Sequence, residues 1–219
     1  DVGYLRALSP EGLLSMEPDL VLAEADSGPP EAIDVLRSAR IEFVTVPDSF
    51  DAGAVREKIE TIAAALGMTE EGEALAARLD REIAEAMAEA RRDNPPRMMF
   101  ILSMAGGRIM AAGSDTAAQG IIELAGGVNA VEGYEGYKPL SDEAAIGSMA
   151  DVVIMMDRGG NHAADDSELW NHPGLAATPA AESGAVVRID GLLLLGFGPR
   201  LPLAIRTLTA AVNDAIGAP

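Results

Sequence analysis

Two distant stretches of the chain share one pattern. One is "DVGYLRALSPEGLLSMEPDLVLAEA"; the other is "EGYKPLSDEAAIGSMADVVIMMD". Aligned without gaps, Leu8, Ser9 and Glu11 fall on Leu140, Ser141 and Glu143. Asp19, Leu20, Val21 and Leu22 fall on Asp151, Val152, Val153 and Ile154. The spacing stays at 132 residues, counted from Leu8 to Leu140. The preceding tyrosines, Tyr4 and Tyr137, miss it by one residue. Each copy reads as a loop, a short serine-capped helix and a buried strand. An α/β protein can reuse such units by chance. The number of matches favours two similar lobes, each presenting a Gly-Tyr loop from the same topological place.

Between and beyond the copies the chain alternates strands and helices. "DLVLAEA" (19–25), "PPEAIDVLRSAR" (29–40) and "IEFVTVP" (41–47) read as strand, helix and strand, which predicts a parallel pair. A helix over about 50–66 ends at Gly67. A second, over 69–92, carries Leu75, Leu79, Ile83 and Met87 on one stripe, with acids at its start and Arg91 and Arg92 at its end. At about 24 residues it would run roughly 36 Å, long enough to span two lobes. "DNPPR" stops it.

Strands at 98–104, 107–113, 151–157 and 185–190 follow. A helix capped by Ser114 or Asp115 and a closing helix after Pro199 complete the set. The predicted fold is α/β: two three-layer lobes, residues 1–67 and 94–219, joined by one long rigid helix at 68–93. No strand precedes Asp19, so the first lobe reads as incomplete at its start.

Composition excludes several functions. The net charge of −19, from 35 acidic and 16 basic residues, opposes binding to nucleic acid or to an anionic membrane. No apolar run reaches the roughly 20 residues of a membrane helix. The absence of cysteine excludes disulfides, thiolate catalysis and iron–sulfur clusters. No phosphate-binding loop, dinucleotide fingerprint or nucleophile elbow is present.

Four stretches carry a resemblance: "VGYLRALSPEGLLSMEPDLVLA", "AGGVNAVEGYEGYKPLSDEA", "DVVIMM" and "DGLLLLGFGPR". Together they resemble periplasmic hemin-binding proteins, the substrate-binding components of bacterial heme ABC importers. That helix-linked class also includes cobalamin- and siderophore-binding proteins. The resemblance implies a chain that is not an enzyme. It would hold heme between two lobes in the Gram-negative periplasm and deliver it to ABC permease subunits. It also implies a signal peptide and an initial strand–helix–strand portion that this sequence lacks.

The same resemblance gives the candidate residues their roles. Tyr4, by itself an ordinary loop tyrosine near an arginine, becomes an axial ligand to ferric heme iron, for which a phenolate oxygen is suited. Arg6 would point to the same side in an extended segment and bond the phenolate or a propionate. Tyr134, Tyr137 and Lys138 read either as a structural loop or as pocket residues that stack on the porphyrin or meet a propionate. His162, in a long polar loop, is a second axial ligand or a solvent-exposed histidine. His172 looks like a helix-start residue. Arg200, in "GFGPR", would face the cleft and a propionate; the glycines of that stretch read as structural. Glu11 and Glu143 suit a helix start by themselves; in the wider class a glutamate at this place docks on permease arginines. The alternatives are the same fold carrying a ferric siderophore or corrinoid and, more remotely, a small α/β enzyme.

Overall fold

Residues 1–157 and 165–217 are described by the computed structural model, and their strands fall into separate sheets. The chain divides into two compact units. The first comprises Asp1–Ser49 and Arg56–Ala77; the second comprises Phe50–Val55 and the described residues from Arg78 onward.

The first unit opens with a hairpin of β1 (Gly3–Tyr4) and β2 (Ala7–Leu8), paired antiparallel with Tyr4 opposite Ala7. Then come α1 (Pro10–Leu14), β3 (Leu20–Glu24), α2 (Pro30–Ser38) and β4 (Glu42–Val46). β3 and β4 pair in parallel, as the strand–helix–strand reading requires, with Leu20 opposite Glu42. The expectation that β3 is buried does not hold: its residues are half-buried or exposed. A parallel strand is buried when strands flank both edges and helices cover both faces. Among the described residues β3 has one neighbouring strand.

Two helices follow, α3 (Ala54–Ala65) and α4 (Thr69–Ala90). α4 is unbroken over 22 residues, about 33 Å. Strong helix formers fill it, and Arg78 pairs with Glu82 one turn on at 2.9 Å. Its buried line is Ala76, Leu79, Ile83, Ala86 and Ala90. The four-residue stripe predicted from sequence drifts off this line at Leu75 and Met87, because the helix repeats every 3.6 residues and not every four. The helix stops before Arg91, and Arg92 instead reaches the last helix, donating from Nη2 to Asn213 Oδ1 at 2.5 Å.

The second unit holds β5 (Arg97–Ser103), β6 (Ile109–Ala112), α5 (Ala117–Leu124), β7 (Val128–Asn129), β8 (Tyr137–Leu140), α6 (Asp142–Gly147) and β9 (Val152–Asp157). After the undescribed residues come α7 (Asp166–Trp170), α8 (Pro179–Ser183), β10 (Val186–Asp190), α9 (Gly191–Leu195) and α10 (Leu201–Ile216). The sheet has six strands in the order β10-β9-β5-β6-β8, with β7 also on β5. β10, β9, β5 and β7 are mutually parallel; β6 runs antiparallel to β5 and to β8.

Continuous apolar runs explain the two central strands: Met98 to Ile101 and Val152 to Ile154 are wholly buried. Alternate residues serve opposite faces. Met99, Ile101, Val153 and Met155 pack with Ala145 of α6, Leu169 of α7 and Ala180 of α8. α5, α9 and α10 pack on one another and on β5, β9 and β10. Each large side chain so buried contributes about 1.5–3 kcal/mol.

α5 is capped by Thr116, whose Oγ1 accepts from Gln119 N–H at 3.1 Å, and not by Ser114 or Asp115. The repeat reaches the backbone. Ser9 Oγ accepts from Gly12 N–H at 3.1 Å, and Ser141 Oγ from Ala144 N–H at 3.2 Å. Glu17 and Met149, again 132 apart, share a left-handed φ of 49° and 48°. β3 and β9 start one step later at equivalent residues, Leu20 and Val152.

Candidate functional site

Gly3 makes the Tyr4 hairpin feasible. Its φ is +85°, and a methyl group on it would lie 2.4 Å from the Ala7 carbonyl oxygen. The hairpin is tied down by Leu8 N–H to Gly28 O at 2.8 Å, Gly28 N–H to Leu5 O at 3.0 Å and Ser9 N–H to Val2 O at 3.0 Å. Tyr4 is thus held by its backbone while its side chain stands open, at 65% exposure.

Arg6 is not the next same-side residue of an extended strand. Leu5 and Arg6 form the two-residue turn between β1 and β2. The Arg6 guanidinium donates to the Asp26 carboxylate. That hydrogen bond and the Asp26 charge hold Arg6 above the ordinary guanidinium value, and Tyr4 adds to the same effect more weakly. Asp26 was not singled out from sequence. Its one signal is an acid in the turn "EADSGPP", beside the Gly28 backbone that anchors the hairpin.

Tyr137 differs from its repeat partner. It lies in strand β8 and not in a loop, half-buried, with its ring edge-on to Phe100 at 6.3 Å. Its hydroxyl is hydrogen-bonded by the Ala118 backbone and the Thr116 side chain at the start of α5. Burial pushes its pKa up, and those two bonds partly offset the rise. Tyr134 donates its hydroxyl to Ala111 O at 3.2 Å, and burial raises its pKa too. The Lys138 ammonium lies 5.7 Å from the centre of the Tyr134 ring. The structure therefore brings Tyr134, Tyr137 and Lys138 together around β6, β8 and the start of α5, with two phenols whose surroundings disfavour the anion.

Arg200 precedes α10 as its N-cap residue, exposed and without an ion pair among the described residues. His162 lies outside the described residues. His172 is not at a helix start; it sits in the turn after α7. Its Nε2 is 2.8 Å from Gly107 O, and its Nδ1 accepts from Gly174 N–H at 3.2 Å. A ring with both nitrogens so engaged is a structural clip.

Glu11 and Glu143 each occupy the first turn of a short helix, exposed, with no ion-pair partner among the described residues. Neither 7–36 nor 139–157 contains a lysine or arginine. The described residues contain no group of acids and histidines able to hold a metal ion, and no helix long and apolar enough to cross a membrane.

The chain is similar to known proteins in sequence and fold. The periplasmic heme-binding protein BhuT, in a structure with two hemes, is 43% identical with a TM-score of 0.94, over 99% of this chain and 82% of that one. The periplasmic heme-binding protein RhuT from Roseiflexus sp. RS-1, in apo form, is 38% identical with a TM-score of 0.90, over 99% of this chain and 83% of that one. The ABC transporter substrate-binding lipoprotein YvrC of Bacillus subtilis (strain 168) is 24% identical over 206 residues, 92% of this chain. This chain spans 64% of that relative's length. The periplasmic binding protein profile matches residues 1–192, and the chain belongs to that family.

Proposed function

We propose that this chain binds heme and hands it to the permease subunits of an ABC importer, in the periplasm of a Gram-negative cell. The observation that carries the reading is the likeness to BhuT, a heme-binding protein of 43% identity whose structure contains two hemes. Tyr4 is the iron ligand in this reading: an exposed phenol, on a hairpin fixed by backbone bonds, with a guanidinium in the adjoining turn. Ferric iron supplies most of the driving force for ionising a phenol that binds it. His162 is the candidate for a second axial ligand. Arg6, Tyr134, Tyr137, Lys138 and Arg200 are assigned to the rest of the ligand's surroundings. Glu11 and Glu143 are assigned to the permease. The chain acts as a carrier and performs no catalysis.

Titrating the purified protein with hemin and following the visible spectrum tests this directly. The expected result is saturable binding with the absorption of tyrosinate-ligated ferric heme. A protein that leaves the spectrum of free hemin unchanged, while taking up a ferric siderophore or a corrinoid, would overturn it.

A further inference from the structure

The turn that carries Arg6 is joined by its backbone to a second turn. Gly28 N–H donates to Leu5 O at 3.0 Å, and Leu8 N–H donates to Gly28 O at 2.8 Å, so Gly28 is clasped across the base of the Leu5–Arg6 turn. Ser27 is held inward beside it, 8% exposed, with its N–H on Glu24 O at 3.0 Å. Asp26, one residue earlier, stands exposed on that second turn. Two segments 20 residues apart thus present an arginine and an aspartate at a spacing that the backbone sets. Asp26 takes the Arg6 guanidinium in a charge-assisted hydrogen bond.

Such a contact adds little to stability. Both side chains stand in water, Arg6 at 63% and Asp26 at 36% exposure, where screening weakens an ion pair. Its effect is geometric: it restricts a long side chain that would otherwise sample many rotamers. Tyr4 interacts with the same guanidinium, by charge and by a side-chain hydrogen bond, more weakly than Asp26 does. Carboxylate, guanidinium and phenol therefore form a chain, each member orienting the next. The chain ends on Tyr4, whose side chain is open to a ligand.

We propose that Asp26 is a positioning residue: it holds Arg6 on the Tyr4 oxygen and, through Arg6, sets how strongly the phenolate donates to a ferric centre. This rests on the heme reading above. A cation bonded to the phenolate draws charge away from the iron, as hydrogen-bond partners of a metal ligand do in general. Of the two partners open to Arg6, phenolate or propionate, the arrangement selects the phenolate. Asp26 itself touches no ligand. Its two possible ways of acting predict opposite signs. If it positions Arg6, Asp26→Asn lets the guanidinium leave the phenolate, which then donates more strongly and stabilises the ferric form. If it acts only through its own charge, the same change removes an anion and leaves Arg6 in place, so the phenolate donates less.

The test is a spectroelectrochemical titration of the hemin-loaded wild type, Asp26→Asn, Asp26→Glu, Arg6→Ala and the double variant Asp26→Asn with Arg6→Ala, all at one ionic strength. Asp26→Asn should lower the ferric/ferrous midpoint potential and move the tyrosinate absorption to longer wavelength, in the same direction as Arg6→Ala. The double variant should go no further than Arg6→Ala, because Asp26 acts through Arg6. Asp26→Glu keeps the carboxylate and should return the potential toward the wild-type value. The pair is exposed, so circular dichroism should be the same for all five proteins. Wild-type protein that binds no hemin, or binds it without tyrosinate absorption, overturns the Tyr4 reading and this proposal with it. Wild-type protein with that absorption, together with a raised or unchanged potential in Asp26→Asn, overturns the positioning role alone. A double variant that shifts well beyond Arg6→Ala overturns it too.

Discussion

Tyr4→Phe removes one oxygen and keeps the ring. Gly3 and the backbone bonds to Gly28 hold the hairpin without the hydroxyl, so the variant tests ligation and not folding. Its expected effect is loss of the tyrosinate absorption and a drop in hemin affinity larger than that of Arg6→Ala. The Arg6 effect is expected to be smaller because Asp26 is its main partner and Tyr4 a lesser one. An unchanged spectrum in Tyr4→Phe would move the ligand elsewhere. The other two tyrosines give a second prediction. Burial raises the pKa of both Tyr134 and Tyr137 above the usual value of about 10. Above that value the unfolded chain has released protons that the folded chain still holds, so folding stability falls as pH rises through this range and is untouched below it. An absorbance titration of the apo protein should therefore show these phenolates forming only beyond the free-phenol range, together with loss of urea resistance. Normal titration of both would show that neither ring is as enclosed as its contacts imply. At this scale the sequence marked Tyr4 through its motif. It was silent on Asp26 and Thr116, which act through space on residues distant in the chain.

The short helices α1 and α6 are where sequence and structure agree most closely. Matching serines, matching cap bonds and the left-handed Glu17 and Met149 all keep the spacing of 132. Ser9→Ala and Ser141→Ala should each cost about 1 kcal/mol, read as a lower urea midpoint with an unchanged slope. Reversing Glu11 and Glu143 to lysine should behave differently. Both side chains are exposed and unpaired among the described residues, so stability and hemin binding should hold while delivery to a permease in proteoliposomes is lost. Loss of hemin binding with normal docking on the permease would mean that these residues are misassigned. Long apolar runs and capped helices were legible because hydrophobic period and cap chemistry are local. Two kinds of element were not. The β1–β2 hairpin turns at Leu5 and Arg6, which carry none of the usual Asn-Gly or Asp-Gly signal. β8 contains Pro139, which argues against a strand, yet β8 lies at the end of the sheet order, where a missing donor is tolerated. α7, α8 and α9 span five residues each, too few for a helical period to show.

Across the whole chain, charge is the property that counting residues recovers in full, whereas one division between units falls between Ala77 and Arg78 of α4, where no break in the helix marks it. The net charge of −19 acts on both partners of the proposed carrier, with opposite signs. Ferric heme with two ionised propionates is itself an anion, so the far field repels it. A permease surface that accepts Glu11 and Glu143 is basic, so the same field attracts it. Salt screens both over a Debye length of about 8–10 Å. Raising ionic strength from about 20 to about 200 mM should thus speed hemin association, measured by stopped-flow absorbance, and weaken docking, measured as stimulation of permease ATPase activity. The local cations oppose the first effect: Arg6, Lys138 and Arg200 would draw a propionate once it is within a Debye length. Arg6 is already engaged by Asp26, and Lys138 stands over Tyr134, which leaves Arg200 as the one of these three without such a partner among the described residues. One free guanidinium against a net charge of −19 leaves repulsion in control at long range. A hemin association rate that falls steeply with salt would reverse that ranking and place the steering in the local cations.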